Sequence, residues 1–300
     1  MPPRNIKEPA ADTQLSGDEV SALIDPVLSA GPAALAVSGG PDSMQLMHMT
    51  AARKGAAKVH VLTVDHQLRE SSAAEAEFVK TVARKLGLEH TTLRWEHPAP
   101  DSGLQERARA ARYTLMAQWC RANHFEHLVT AHNLDDQAET LLMRLGRGSG
   151  PDGLAAMARR TNLFSITVLR PLLEVPHARL VASMKAAGHE YIDDPSNADL
   201  RFERVRIRNA RAARDELGLS DKALSATALR MGRAVEALTL FTDEMISRCV
   251  QLSHFGHCSV NIASALDAPN EVTLRLLSAC LTAIGGADWP PGDGQLEEVR

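Results

Sequence analysis

Between an apolar run and a helical pattern lies Ala36-Val37-Ser38-Gly39-Gly40-Pro41-Asp42-Ser43-Met44. Its two glycines let successive backbone N–H groups turn inward as a nest. Pro41 suits a first helical turn, where its missing donor costs nothing. Ser38 and Ser43 add hydroxyls, and a helix N-terminus adds partial positive charge. Together these residues describe a cradle for phosphates. The stretch has neither the lysine of GxxxxGK[ST] nor the spacing GxGxxG, so it is neither of those nucleotide loops. An acid in place of a lysine suits a pyrophosphate carrying Mg2+, with Asp42 holding the metal directly or through water. A tight strand-to-helix turn with incidental glycines would use the same residues. Placement after the first strand favours the cradle.

Apolar runs at Ala33–Val37, Val59–Val64, His90–Leu93, Leu128–Ala131 and Ile166–Leu169 read as strands. Helical patterns separate them at Ser43–Arg53, Ala73–Leu86, Leu104–Asn123 and Asp135–Arg144. This alternation predicts an α/β fold, a parallel sheet flanked by helices. In such sheets ligands bind beyond the carboxyl ends of the strands. Ser38-Gly39-Gly40, Asp65-His66 and His132-Asn133 lie there.

From Ser220 the pattern turns helical, with one or two helices to Val250, a short hairpin near Ser259–Leu266 and a helix from Glu271 to Ile284. The expected domains are 1–215, catalytic, and 216–300, mostly helical. Gln295 to Val299 reads as the start of another helix, as in a truncated chain.

Asp136 and Glu139 are three apart on a helix and share a face. Paired carboxylates there call for a cation, an ammonium or Mg2+. Alone, they read first as acids favoured at a helix start. On Leu104–Asn123 the expected core stripe is Leu104, Ala108, Ala111, Leu115 and Trp119. Arg112 sits at its margin, where an arginine can bury its stem and aim its fork at a phosphate. Arg109 reads as the partner of Glu106 in a surface ion pair.

Six arginines lie between Arg201 and Arg214. Such a run is commonly a solvated face, here with Glu203 and Asp215 as partners. Its density, with Arg204, Arg208 and Arg211 on one helical face, favours phosphate contact. Arg147-Gly148-Ser149-Gly150 reads as a lid or a plain loop. His254, His257 and Cys258 lack a fourth ligand at zinc-like spacing.

The 300 residues carry a net charge of −4, which argues against a general polyanion binder. The stretch from Asp101 to Asp215 nevertheless holds 16 arginines and one lysine against 14 acids. Aromatics at 4% argue against a surface stacking many bases, and nucleic acid would be gripped by local arginines. No apolar run approaches a membrane span, and the N-terminus carries no secretory pattern. Four scattered cysteines form no disulfide framework. A cytoplasmic, reducing compartment is expected.

The Ser38–Ser43 signature resembles the PP-loop ATP pyrophosphatases, whose fold is Rossmann-like. Further segments resemble the tRNA(Ile)-lysidine synthetase family: Val64–Arg69, Ala108–Tyr113, Ala131–Thr140, Arg147–Gly150, Arg170–Leu173, and Asp194–Asn197 followed by Arg204–Arg208.

The resemblance implies ATP bound by Ser38, Gly39, Gly40, Pro41, Asp42, Ser43, Asp65 and His66, with Mg2+ on Asp42. Asp42, Arg112 and His132 are the implied catalytic residues. Asp136 and Glu139, with Arg206 or Arg208, are implied to bind L-lysine. Val205 stands where the family usually has Asn, which leaves open the arginine that enters the site. Arg201, Arg204 and Arg211 are expected to bind tRNA(Ile) with the CAU anticodon, and the helical domain to assist. The implied reaction is ATP-dependent ligation of lysine to ring carbon 2 of the wobble cytidine, through an adenylated tRNA. A tRNA thiolase of the same superfamily and a nonenzymatic ATP-binding regulator are the alternatives. Sequence leaves monomer or homodimer open.

Overall fold

A computed structural model describes residues 13–67, 72–96, 104–193, 199–253 and 257–285. Leu68, Arg69, Asp194–Asn197, His254 and the segment Gln295 to Val299 lie outside the described residues. The elements begin α1 (Gly17–Ser29), β1 (Ala33–Ala36), α2 (Pro41–Arg53), β2 (Val59–Asp65), α3 (Ser72–Lys85), β3 (Glu89–Arg94), α4 (Leu104–Ala122) and β4 (His127–Val129). Next come α5 (Leu134–Gly146), α6 (Pro151–Leu154), β5 (Arg160–Leu163), β6 (Ile166–Leu169), α7 (His177–Ala186), α8 (Glu203–Asn209) and α9 (Arg211–Glu216). The remainder is α10 (Asp221–Cys249), β7 (Val250–Leu252), β8 (Cys258–Val260), α11 (Ile262–Leu266) and α12 (Asn270–Gly285).

Six strands form one sheet in the order β3-β2-β1-β4-β6-β5. All neighbours are parallel except β5, which runs antiparallel to β6 at the edge. Sequence expectation missed β5 because Arg160–Leu163 is a polar, half-exposed edge strand without apolar alternation. Leu35 pairs with Val61 on one side and Val129 on the other. From β1 the chain winds outward to β2 and β3, then returns to place β4 on β1's other side. The β1/β4 junction is therefore the topological switch point, beyond whose strand ends open α/β sheets bind ligands.

The two sheet faces are buried by different helices. On one, Ile24 and Val27 of α1, Met44 and Met47 of α2, Val79 of α3 and Leu180 and Met184 of α7 pack with Leu35 and Val61. On the other, Tyr113, Met116, Ala117 and Cys120 of α4 pack with Ala34, Leu62, Leu128 and Val168. The buried α4 stripe thus differs from the expected one; Leu115 and Trp119 are only half-buried, and Tyr113 enters the core. Truncating a fully buried Leu180 or Met47 to alanine would cost about 2–5 kcal/mol.

The chain divides into two compact units, 1–149 with 156–228, and 150–155 with 229–300. The expected boundary at 215/216 lies earlier. Asp221, at the start of α10, is buried against Arg214 at 3.0 Å and Arg211 at 2.8 Å, and Leu224 and Ala228 are buried too. These contacts tie the first turns of α10 to the first unit.

In the second unit Met245, Cys249, Ala265, Val272 and Leu276 form a small core. Arg275 of α12 pairs with Asp152 of α6 and Glu271, which joins residues 150–155 to this unit. The hairpin forms earlier than expected, β7 against β8. Asn261 then accepts the Ser264 N–H as a helix cap, and Ile262–Leu266 becomes α11. No helix among the described residues is long and apolar enough to cross a membrane.

Candidate active site

The cradle is a braced turn at the switch point. Val37 N–H donates to the Leu62 carbonyl at 2.9 Å, extending the β1 ladder. Gly39 then takes φ +94°, and a Cβ there would lie 2.7 Å from Ile192 Cδ1. Only glycine meets both conditions without strain. Gly40 is the N-cap of α2 and Pro41 opens the helix. Ser43 Oγ donates to the Gly40 carbonyl at 3.0 Å and accepts from Ser38 N–H at 3.2 Å. The loop is therefore shaped in advance, with the α2 N-terminus behind it.

Asp42 lies in the first turn of α2, and its Oδ1 is 2.8 Å from His177 Nδ1. Burial raises the Asp42 carboxyl, and the nearby Asp136 and Asp135 add to that, against the His177 bond. That hydrogen bond in turn raises the His177 imidazole. Among the described residues no cluster of three or more His, Cys, Asp or Glu side chains is arranged to hold a metal alone. Mg2+ commonly takes one or two carboxylates and completes its shell with phosphate oxygens and water. A single hard carboxylate beside the glycine turn at a helix N-terminus, with Asp135 and Asp136 in its field, fits that donor set.

Beyond β4, Thr130 Oγ1 lies 2.8 Å from His132 Nδ1. Burial pushes His132 well below its ordinary pKa, and Arg109, Arg170, Arg112 and Arg204 push the same way, so its ring is neutral. Arg112 stands 5.6 Å from the Tyr113 ring centroid and is desolvated. Among the described side chains it has no ion-pair partner. Arg109 is likewise over Tyr113, at 5.4 Å. Asp65 is buried at the end of β2, where its Oδ1 accepts from Gln67 N–H at 2.9 Å. His66 packs edge-on against Trp95 at 5.9 Å.

Asn133 caps α5, exchanging hydrogen bonds with Asp136 in a capping box. Asp136 thus does perform the helix-start role. Glu139, one turn on, is 2% exposed and receives two arginines. Arg208 Nε meets its Oε1 at 2.8 Å, and Arg204 Nε meets Oε2 at 3.1 Å. Burial raises the Glu139 carboxyl, and these guanidiniums oppose it. Arg204 also donates to Thr140 Oγ1 at 3.0 Å. Leu145, near the end of α5, is exposed.

The chain bends at Ala210, so Arg211 leaves the face shared by Arg204 and Arg208 and pairs with Asp135 at 2.9 Å and Asp221. Arg206 donates to the Leu200 and Arg201 carbonyls, away from Glu139. Arg201 pairs with Asp199. Glu203, expected among the arginines of its own run, instead meets Arg147 at 2.6 Å.

A PP-loop domain family matches residues 14–213. The tRNA(Ile)-lysidine synthase of Rhodopseudomonas palustris is 43% identical over 88% of this chain and 78% of its own length. That of Bradyrhizobium diazoefficiens is 41% identical over 96% of this chain and 82% of its own. The chain belongs to the tRNA(Ile)-lysidine synthase family. It is accordingly an ATP-binding ligase of the PP-loop class. The fold also resembles the U34-tRNA thiolase NcsA of Methanococcus maripaludis, with TM-score 0.61 over 73% of this chain and 78% of that one, at 14% identity.

In this member of the lysidine synthase family, sequence reasoning missed His177 and Ile192. His177 is four residues beyond the Arg170–Leu173 segment, directly after Pro176 at a helix start, which was the available signal. Ile192 offered none, because its contact with Gly39 joins residues far apart in the chain. Between Arg206 and Arg208, the geometry brings only Arg208 to Glu139.

Proposed function

We propose that this chain ligates L-lysine to ring carbon 2 of the wobble cytidine in tRNA(Ile) with anticodon CAU. The observation that carries the reading is the adjacency of β1 and β4 in the sheet, whose carboxyl ends lead into the glycine turn with Asp42 and into neutral His132, with Asp136 acting electrostatically on both Asp42 and desolvated Arg112. Two chemistries meet there, diphosphate release and ammonium recognition.

In the first step the cytidine C2 oxygen attacks the α-phosphorus of ATP, and the bond to pyrophosphate breaks. Ser38–Ser43 hold the departing group through backbone N–H groups and the α2 dipole. Asp42 would hold Mg2+ here, and the ion would supply charge neutralisation for the diphosphate. Arg112, without a carboxylate partner among described side chains, is free to meet the α-phosphate. His132 is neutral, so it offers a hydrogen bond without adding charge.

In the second step lysine's ε-amine, having lost a proton, attacks ring carbon 2. The C2–O bond breaks and AMP leaves with the former base oxygen. Glu139 and Asp136 hold lysine's α-ammonium and Arg208 its carboxylate, which requires the Arg208 and Arg204 forks to shift from Glu139. Arg201, Arg204 and Arg211 remain proposed phosphate contacts for tRNA, once released from their internal acids. An anticodon loop presents the base unstacked at low cost.

A sulfur-transfer reading is weaker. Cys120 is the only cysteine before Cys249 and is buried, with its thiol pushed up to about 12 by desolvation. The test is incubation with labelled lysine, ATP and total bacterial tRNA, with omission of each. Label should enter tRNA only when all are present. Entry without ATP, or no entry at all, defeats the reading.

A further inference from the structure

His177 links two parts of the crevice. Its backbone N–H donates to Asp135 Oδ2 at 2.9 Å, and its Nδ1 lies 2.8 Å from Asp42 Oδ1. Asp135 opens α5, and its other oxygen is held by Arg211 at 2.9 Å. The Leu134 N–H donates to the Val175 carbonyl at 3.0 Å, so the starts of α5 and α7 are joined by backbone as well. The backbone behind the imidazole is thus anchored by a fixed carboxylate, and the ring's Nδ1 grips Asp42. Asp42 itself stands on the first turn of α2, where its side chain has several rotamers open to it. Among the described residues, His177 is the group that selects one.

We propose that His177 is a positioning residue that sets the carboxylate of Asp42 toward the metal-bound diphosphate, acting through its Nδ1 edge. This rests on the reading of Asp42 as the acid beside that diphosphate. Outer groups that orient a ligating side chain typically change metal affinity about 10–100-fold when removed. Oδ1 is engaged by His177, which leaves Oδ2 to meet the metal.

The test uses isosteres. Asparagine places its amide on Cγ, as histidine places Nδ1; glutamine places its amide one atom further, near Nε2. Mn2+ binding to the full chain with α,β-methylene ATP is titrated by electron paramagnetic resonance. His177→Ala should weaken Mn2+ binding about 10–100-fold. His177→Asn should recover most of that loss and His177→Gln should not. In turnover, the metal requirement should rise while KM for lysine stays within twofold.

Unchanged Mn2+ affinity in His177→Ala overturns the proposal, as does recovery by Gln equal to that by Asn. If His177→Ala unfolds, the Asn–Gln contrast decides alone. Failure of wild-type chain to label tRNA defeats the functional reading instead, and leaves this titration readable, since it needs neither lysine nor tRNA.

Discussion

Gly39→Ala isolates the backbone geometry of the cradle. A Cβ at φ +94° would meet Ile192 Cδ1 at 2.7 Å. An L-residue held in that sparsely populated region costs about 1–3 kcal/mol. Ile192 meets the new methyl with the end of a flexible side chain, so it can rotate, at about 0.5–1.5 kcal/mol for an off-rotamer angle. Together the penalty is about 1.5–4.5 kcal/mol, below the roughly 5–15 kcal/mol that holds a folded domain. At about 2–4 °C per kcal/mol, the Tm of the first unit should fall by about 3–18 °C, and the chain should stay folded at room temperature. The turn can relieve its strain only by rotating N–H groups out of the nest, so ATP binding should fall far more than stability. Ile192→Ala in the same background should return the rotamer part and leave the φ part. Thermal unfolding and equilibrium binding of a fluorescent ATP analogue measure the two. A variant with Tm within about 1 °C of the parent and unchanged ATP affinity would refute the assignment of Gly39 as a position only glycine can fill.

Asp42→Ala should abolish AMP and pyrophosphate release while the second unit stays folded, which circular dichroism and a release assay check together; wild-type turnover would remove Asp42 from the chemistry. Arg208→Ala should raise the lysine KM about tenfold or more, whereas Arg206→Ala, whose guanidinium meets backbone carbonyls, should leave it within twofold; the reverse order would reassign the motif. Burial lowers His48 to about 4, with the stacked His189 at 3.6 Å adding to it. The unfolded chain then binds the extra proton first, so stability is lost as pH falls from about 6.5 toward 4, and His48→Gln should flatten the Tm-against-pH curve there.

Some of this molecule is local. The cradle was legible because Gly39, Gly40 and Pro41 are residues whose backbone preferences alone specify a turn into a helix. Ile166–Leu169 matched its strand, and most other strands and helices came within a few residues, because apolar periodicity is itself the cause of burial. Polar or weakly patterned elements, such as β5 and α7, were not legible, since their places depend on neighbours.

The site required the fold. Spacing puts Arg204 and Arg208 on one face, but that this face meets Glu139 depends on α8 packing beside α5, and that Arg211 leaves it depends on the bend at Ala210. His177 gains its role by lying 2.8 Å from a residue 135 positions away. The residues carry their chemistry in their types, but charge, orientation and partner come from burial and distance. Those arise only when the winding order β3-β2-β1-β4-β6-β5 brings separate loops to one crevice.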